Sequence, residues 1–407
     1  MPPKILSMCN RMKLVIAILF FIIAIAFSWE NEVFNILFVL GSIFVLLDEW
    51  RLFGKNFILS PLLLFTTSYL YVYFSGSIQI TPSDETRFLY GSSYLGFLIG
   101  WRYIKYRLNI LKIKIPLRRL NIRIGLISLF ILSYISLYHI PTTSYLILIL
   151  LHLVSSLHLI REKRTIISIS NIIITLFFSF LLGKIVVLRY LIILLFIYSE
   201  KGKLNVKKVI AYSIGSLAIF IVFNLRRYSI EGNSEFINLS LLQIIEPKNL
   251  LRLLTAGSDY IRTTNILVSS DINNLYQFGK TYISGILKFL PRELFIIRPP
   301  SGNAIVNTIL NENYIYNSNT TASTFVGELY INFGYLSIIG AFLIGSTQKI
   351  LWNSFLNLNT KYSFLYLSFL YAMQFSLVRD DFNIAFGTFL MYTIGLSTII
   401  TYKNKNE

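Results

Sequence analysis

Cysteine, histidine and charge are all scarce in this sequence of 407 residues. Its single cysteine, Cys9, excludes an internal disulfide and a metal site built from several thiolates. Of the three histidines, His152 and His158 are six residues apart and would face different sides of a helix, so they do not predict a shared metal. Charged residues make up only 14% of the chain, against roughly 25% in soluble domains. The composition therefore excludes an ordinary soluble globular protein.

What the sequence does contain is long apolar runs, such as residues 14–27 and 172–182. They are continuously apolar and recur along most of the chain, as expected for helices that each cross a bilayer with roughly 17–25 residues. The sequence predicts an all-α polytopic membrane protein with about twelve transmembrane helices. The predicted spans are 13–29, 33–47, 56–75, 87–101, 122–138, 143–160, 165–182, 185–198, 208–224, 328–348, 362–378 and 383–401.

The net charge of +18 has a topological explanation. Lysine and arginine cluster in every second connection, from Lys4, Arg11 and Lys13 to Lys403 and Lys405, while the alternate short connections hold few. Basic residues concentrate on the cytoplasmic side of membrane proteins, so the pattern predicts that both termini are cytoplasmic. The basic charge therefore does not indicate a nucleic-acid partner.

This topology places one large loop, residues 225–327, on the outer side between the ninth and tenth helices. The chain then divides into an N-terminal bundle of about nine helices (1–224), the extracytoplasmic loop (225–327) and about three C-terminal helices (328–407). Within the loop, residues 238–254 and 276–290 have apolar residues at helical spacing and predict surface helices. Residues 311–324 are rich in asparagine and threonine and predict a flap.

Arginines at outer helix ends and beside proline turns are the candidate anion-binding groups. A guanidinium is planar, permanently charged and forked, which suits a diphosphate, although the same residues could instead anchor helix ends among lipid headgroups. A further arginine lies inside a predicted span, where it either extends to the interface or faces a polar cavity. The five outer arginines and the intramembrane one are Arg226, Arg227, Arg292, Arg298, Arg379 and Arg189.

Glu328 is the most informative single residue. It follows Gly327 at the predicted start of a helix, and Tyr330 and Asn332 come just after it. A carboxylate there either caps the helix or positions or deprotonates a sugar hydroxyl at the membrane surface.

Three short motifs resemble the Wzy-like polymerases of O-antigen and capsule repeat units. The first is Phe289-Leu-Pro-Arg292 with Arg298-Pro299, and the second is the run Gly327-Glu-Leu-Tyr-Ile-Asn-Phe-Gly334 that enters a span. The third is Arg379-Asp-Asp-Phe382, which has Asp380 where the family usually has glycine. The resemblance covers the C-terminal half best, since the N-terminal spans match only in hydropathy.

The resemblance implies a glycosyltransferase of class C-like architecture, without metal or other cofactor, in the bacterial plasma membrane. It would transfer a growing undecaprenyl-diphosphate-linked glycan onto one lipid-linked repeat unit at the outer face, with undecaprenyl diphosphate as the leaving group. Glu328, Asp381 and Arg379 are then the catalytic candidates. The substrate-binding candidates are Arg226, Arg227, Arg292, Arg298, Arg189, Tyr330 and Asn332. The bilayer and a chain-length regulator are the expected partners.

Three alternatives remain at this stage. An O-antigen ligase uses the same donor with a lipid A core acceptor, but ligases usually carry a histidine in the outer loop, and residues 225–327 contain none. A lipid-linked oligosaccharide flippase has about as many spans but short loops. A structural or regulatory membrane protein would use the arginines only as anchors.

Overall fold

A computed structural model describes residues 3–53, 60–77, 80–104, 184–200, 260–270, 276–287, 299–312, 323–357 and 363–379, with scattered positions in 152–176 and 382–396. These residues are overwhelmingly helical, and no strand occurs among them. The predicted all-α class is confirmed for this part of the chain. The predicted spans 122–138 and 208–224 lie outside the described residues, as do most of 143–160 and 165–182 and about half of 383–401.

The helices with continuous description are numbered here in chain order. They are α1 (Pro3–Ala26), α2 (Asn31–Phe53), α3 (Pro61–Ser77), α4 (Asp84–Tyr103), α5 (Lys184–Glu200), α6 (Tyr260–Ser269), α7 (Lys280–Leu287), α8 (Gly302–Glu312), α9 (Thr324–Phe333), α10 (Ser337–Leu356) and α11 (Ser363–Arg379).

The chain divides into two compact units, each assembled from separate stretches of sequence. Unit 1 comprises Met1–Asn109, Ser258–Ser354 and Met373–Thr388. Unit 2 comprises Ile110–Gly257, Phe355–Ala372 and Phe389–Glu407. The predicted division at 224 and 327 concerns the two sides of a membrane, so it stays a prediction.

Helix α4 is buried along most of its length in unit 1. It begins at Ser83, whose hydroxyl accepts a hydrogen bond from the Thr86 amide, as expected of a serine N-cap. Its glycines allow α10 to approach the backbone closely: a Cβ on Gly96 or Gly100 would lie 2.3 Å from a carbonyl oxygen of α10. Small residues four apart are typical of helix contacts in membranes, where backbone proximity replaces hydrophobic burial as the driving force.

Aromatic side chains fill the space between α2, α3, α4 and α9. Phe65 stacks on Phe97 with a centroid separation of 3.6 Å, and Phe325 meets both rings edge-on. Three of the tyrosines among them have hydrogen-bond partners for their hydroxyls: Tyr94 bonds Thr66 at 2.7 Å, Tyr69 donates to the Tyr90 carbonyl, and Tyr73 donates to Asn35. This layer of buried aromatic rings forms part of the core of unit 1.

The span predicted over 328–348 lies within the helical segment Thr324–Leu356, but this segment is not one continuous α-helix. Helix α9 ends at Phe333, and a 3-10 turn, Gly334–Leu336, precedes α10. Gly334 has a φ of 56°, in the left-handed region, and its amide donates to the Tyr330 carbonyl. Glycine adopts this conformation without the steric cost of a Cβ, which explains why the helix breaks here.

Among the described residues, two helical segments are long and apolar enough to cross a bilayer, Asn31–Phe53 and Thr324–Leu356. Their outward side chains are also apolar: Ile36, Leu40, Ile43 and Leu47 are exposed along one face of α2. In water such a face would be polar. Length, composition and outward face together indicate membrane association.

Within unit 2, a polar group is buried among aromatic rings. His152 Nδ1 hydrogen-bonds the Tyr392 hydroxyl at 2.5 Å, and the His152 ring stacks on Tyr190 with a centroid separation of 4.5 Å. Arg189, on α5, is also buried, and its extension to the interface or toward a polar cavity stays a prediction. The described contacts give His152 a packing role.

Candidate functional site

Glu328 lies in the second turn of α9, five residues after the Ser323 N-cap, and therefore does not cap the helix. Its side chain is buried, with the residue only 2% exposed. The Thr281 hydroxyl donates a hydrogen bond to Oε1 at 2.6 Å, and the Phe382 amide donates to Oε2 at 2.5 Å. Both carboxylate oxygens thus hold segments that are distant in sequence.

Asn332, one turn after Glu328, extends this network. Its side-chain amide donates to Thr281 Oγ1 at 2.7 Å and to the Glu328 carbonyl at 2.8 Å. Its Oδ1 accepts from the Gly279 amide at 2.8 Å. The Glu328 cluster is defined here as Glu328, Thr281, Asn332 and the Phe382 amide. Its hydrogen bonds run in one consistent direction, from Asn332 through Thr281 to the carboxylate.

The loop before α7 is fixed from both sides by α9. The Gln277 amide donates to the Ile331 carbonyl at 3.0 Å, and Gly279 is held by Asn332 as described. Because residues 276–279 form this loop, the helix predicted over 276–290 begins only at Lys280. Between the two hydrogen bonds, Phe278 has a φ of 45°.

The segment after the Arg298-Pro-Pro run also reaches Glu328. A Cβ on Gly302 would lie 3.1 Å from the Glu328 carboxyl carbon and 2.7 Å from Ser323 Oγ. Asn303, next in α8, accepts a hydrogen bond from the Ser323 amide at 2.7 Å. The start of α8 therefore packs directly against the start of α9.

Arg379 ends α11, three residues before Phe382. Its Nε donates to the hydroxyl of Tyr260 at 2.5 Å, and Tyr260 is a buried residue at the start of α6. Arg379 and Phe382, the first and last residues of the third sequence motif, are thus held by Tyr260 and by Glu328, respectively.

Of the other sequence-predicted site residues, only some lie in the described part of the chain. Tyr330 is buried between the rings of Tyr276 and Tyr335, at centroid separations of 6.3 and 5.7 Å, and has no described bond to the Glu328 cluster. Arg189 belongs to unit 2. The predicted site residues outside the described part of the chain are Arg226, Arg227, Arg292, Arg298 and Asp381.

Sequence reasoning missed Thr281 and Tyr282, which belong to no motif. Tyr282 packs edge-on against Phe382, with centroids 4.8 Å apart, and stacks with Phe333. Burial, and then the negative charge of Glu328, raise the pKa of Tyr282 well above its usual range. Tyr282 therefore stays a neutral phenol at physiological pH beside the carboxylate.

The geometry favours a positioning role for Glu328. A buried carboxylate with a hydrogen bond to each oxygen is poorly placed to take a proton from a substrate, but well placed to hold Phe382 and the start of α7. Within the described residues no group of three or more histidine, cysteine or acidic side chains forms a potential metal site. Arg379 and the loop before α7 are thus held in place by buried polar groups.

Comparison with protein-family models, with curated proteins and with solved structures finds no match to this chain. The family resemblance of the three motifs is therefore an interpretation that the comparisons do not test.

Proposed function

We propose that this chain is a membrane glycosyltransferase that polymerises undecaprenyl-diphosphate-linked oligosaccharide repeat units at the outer face of the bacterial plasma membrane. The observation that carries the proposal is the hydrogen bond from the Phe382 amide to Glu328 Oε2. It joins two motif segments, 327–334 and 379–382, that are about fifty residues apart. If the two motifs served only to anchor separate helix ends in the membrane, no contact between them would be expected.

The start of α8 supports the same grouping. Gly302 lies three residues after Pro299, where the remaining motif ends, and packs against Glu328. Two motif segments and a residue that closely follows the third motif therefore meet at one carboxylate. Convergence of polar segments from several loops on a rigid scaffold is typical of binding and catalytic sites.

The outer surface of unit 1 supports membrane spanning. Helix α2 has 23 residues, which at 1.5 Å per residue is about 35 Å and exceeds the roughly 30 Å of a hydrocarbon core. Exposed Trp29 precedes this helix, and exposed Trp50 lies near its end. Tryptophans favour the two membrane–water interfaces, so they delimit an apolar band of suitable height.

In the proposed reaction, the acceptor hydroxyl oxygen bonds to the anomeric carbon of the donor glycan while the bond from that carbon to the diphosphate oxygen breaks. The bonding electrons leave with undecaprenyl diphosphate, and the hydroxyl proton passes to a carboxylate. Asp381, next to the Phe382 amide that Glu328 holds, is the candidate for that carboxylate. Arg379 stabilises the charge that develops on the leaving diphosphate.

Deletion of the gene in its host, followed by complementation, tests the proposal. We expect the deletion strain to display single repeat units on its surface carrier, with no ladder of longer chains, and the intact gene to restore the ladder. A normal ladder in the deletion strain contradicts the proposal. Loss of all glycan from the carrier, with lipid-linked polymer accumulating, would identify a ligase instead.

Complementation with Glu328→Gln sharpens the test. A glutamine side chain has one acceptor oxygen, so it cannot accept from both Thr281 and Phe382, and we expect chain growth to fall at least tenfold while the protein still inserts. Tyr103→Ala, an exposed residue at the end of α4, serves as the control and should restore a full ladder. An unchanged ladder from the glutamine variant would show that ordering by Glu328 does not matter for activity.

A further inference from the structure

Phe278 is the most exposed of the large apolar residues that the structure describes. It is 81% exposed, whereas the aromatic residues of the helical core are fully buried. The other exposed apolar side chains lie mainly on long helices, on faces suited to lipid. Phe278 instead lies in a four-residue loop between Tyr276 and Lys280, so a lipid-facing helix does not explain its exposure.

The backbone at Phe278 is strained. Its φ of 45° is in the left-handed region, which a bulky side chain rarely adopts because Cβ approaches the following carbonyl. Gly279, the next residue, also has a positive φ of 88° but has no Cβ. Asparagine or glycine would fit position 278 with less strain, so folding alone does not account for phenylalanine there. Strained residues of this kind cluster at ligand-binding sites.

The strained conformation is held by the helix that carries Glu328. The amides on either side of Phe278 donate to α9, Gln277 to the Ile331 carbonyl at 3.0 Å and Gly279 to Asn332 Oδ1 at 2.8 Å. Asn332 is the same residue that bonds Thr281 in the Glu328 cluster. The cluster therefore sets the direction of the Phe278 side chain together with the position of Phe382.

We infer that Phe278 is a glycan-contact residue, whose ring forms a stacking surface for a sugar ring of the lipid-linked repeat unit. A sugar presents an apolar C–H face and polar edges, and the loop offers the matching surfaces. Phe278 and its neighbour Tyr276, whose ring centroids are 6.3 Å apart, supply aromatic faces. Gln277 and the exposed Lys280 supply polar groups on either side. The inference rests on the proposed function, because it assigns the substrate surface of that same site.

A contact with lipid chains would not need this construction. Insertion into a bilayer depends on apolar area and tolerates many side-chain directions. Stacking on a ring depends on the direction of the aromatic face. Two hydrogen bonds hold the strained backbone at Phe278 and so fix the direction of its ring. A fixed ring direction favours a sugar over lipid chains as the partner.

Variants at position 278 test the inference on the whole protein in lipid nanodiscs. The probe is the oligosaccharide released by mild acid from the host's own surface polysaccharide, and the readouts are its dissociation constant and the melting temperature. Phe278→Tyr and Phe278→Trp keep an aromatic face, so their dissociation constants should stay within about threefold of the parent protein. Phe278→Leu and Phe278→Asn should weaken binding at least tenfold.

The melting temperature separates contact from packing. Because asparagine tolerates the left-handed region, Phe278→Asn should melt at or above the temperature of the parent protein despite its weaker binding. A drop of several degrees would mean that the ring supports the fold, and would overturn the inference. Tyr103→Leu is the matched control, an exposed aromatic in a helix, and should change neither readout.

The remaining outcomes also decide. If Phe278→Leu binds the oligosaccharide as the parent protein does, the residue contributes only apolar area, and the stacking role is overturned. Equal binding by all variants also overturns it. So does a parent protein that does not bind the oligosaccharide. Because binding is measured without chain growth, aromatic-dependent binding by a protein whose deletion leaves a normal ladder would support the contact while rejecting the polymerase.

Discussion

Unit 1 contains two buried carboxylate clusters that are built differently. In the Glu49 cluster, defined as Asp48, Glu49, Ser60 and Arg102, two adjacent acids meet one guanidinium: Arg102 lies 2.8 Å from Asp48 Oδ2 and also pairs with Glu49. In the Glu328 cluster, the described bonds to the carboxylate come from a hydroxyl and a backbone amide. The described contacts of the Glu49 cluster are mainly ion pairs, whereas those of the Glu328 carboxylate are hydrogen bonds from neutral groups.

The segments that the clusters join also differ. The Glu49 cluster connects the C-terminal ends of α2 and α4 with Ser60 before α3, and Lys349 of α10 lies over the Trp101 ring nearby at 5.1 Å. The Glu328 cluster connects the start of α7, the Phe382 amide and the loop of Phe278 with a broken helix. Regular helix ends meet at the first cluster, which indicates a packing role, whereas segments outside the long helices meet at the second, to which the proposed function assigns substrate positioning.

The largest expected effect is on stability, at the Glu49 cluster. Arg102→Leu leaves Asp48 and Glu49 buried without the cation they share, which should cost about 3–5 kcal/mol of unfolding free energy. A large drop in melting temperature in detergent would report it. Arg51→Ala is the control, because the Arg51 side chain is 30% exposed where it pairs with Asp48, so it should cost at most about 1 kcal/mol. Equal, small losses from both would mean that the cluster does not hold the helices together.

At the Glu328 cluster, Thr281→Val should have the next largest effect. The substitution removes the hydroxyl that donates to Glu328 and accepts from Asn332, which leaves two buried polar groups without that partner. The expected cost is about 1–3 kcal/mol, together with shortened glycan chains. Thr67→Val, at an exposed hydroxyl that bonds only its own helix, should change neither. A stable Thr281 variant with a full ladder would show that the cluster is not a positioning device.

A smaller effect is expected where Arg379 meets Tyr260. Tyr260→Phe removes the hydroxyl that receives the Arg379 Nε hydrogen, at a cost of about 1 kcal/mol, and leaves the guanidinium free to turn. Chain growth should slow severalfold without stopping, as judged from the ladder. Arg379→Lys should slow it more, because an ammonium lacks the fork. The reverse order would indicate that the tyrosine, rather than the arginine, contacts the substrate.

The smallest effect is a pH dependence at Tyr282. Because the folded protein raises the pKa of this phenol above that of the unfolded chain, its contribution is constant below about pH 10 and stability falls as the pH rises above it. Tyr282→Phe removes this loss, so its melting temperature should decline less steeply between pH 10 and 10.5, a difference below about 1 kcal/mol. Identical slopes for variant and parent would mean that Tyr282 ionises as freely in the folded protein as in the unfolded chain.

Much of the helical architecture follows from sequence patterns. The predicted spans 33–47 and 185–198 lie within α2 and α5, which are longer at both ends. Hydropathy underestimates helices whose ends are polar, since Asp48 and Glu49 at the end of α2 are buried by partners that hydropathy does not include. The break at Gly334 was missed for a related reason, because an apolar run conceals a change of backbone conformation at one glycine.

The candidate site was only partly predictable. Glu328 and Asn332 stood out because they are polar residues entering an apolar span, and both lie in the cluster. Thr281 did not stand out, since a threonine in a polar loop carries no distinguishing signal. The partner of the Glu328 carboxylate at residue 382 is a backbone amide, which no side-chain motif can reveal.

The sequence by itself determined that this chain is helical and rich in apolar segments, and it singled out the short polar stretches that interrupt them, because hydropathy and periodicity are local properties. Which of those stretches meet was decided only by the tertiary structure. The contacts between Glu328, Thr281 and the Phe382 amide, and between Arg102 and its two acids, join residues far apart along the chain. Packing of apolar helices against one another brings such residues together, and a buried charge then requires the partners that it finds there.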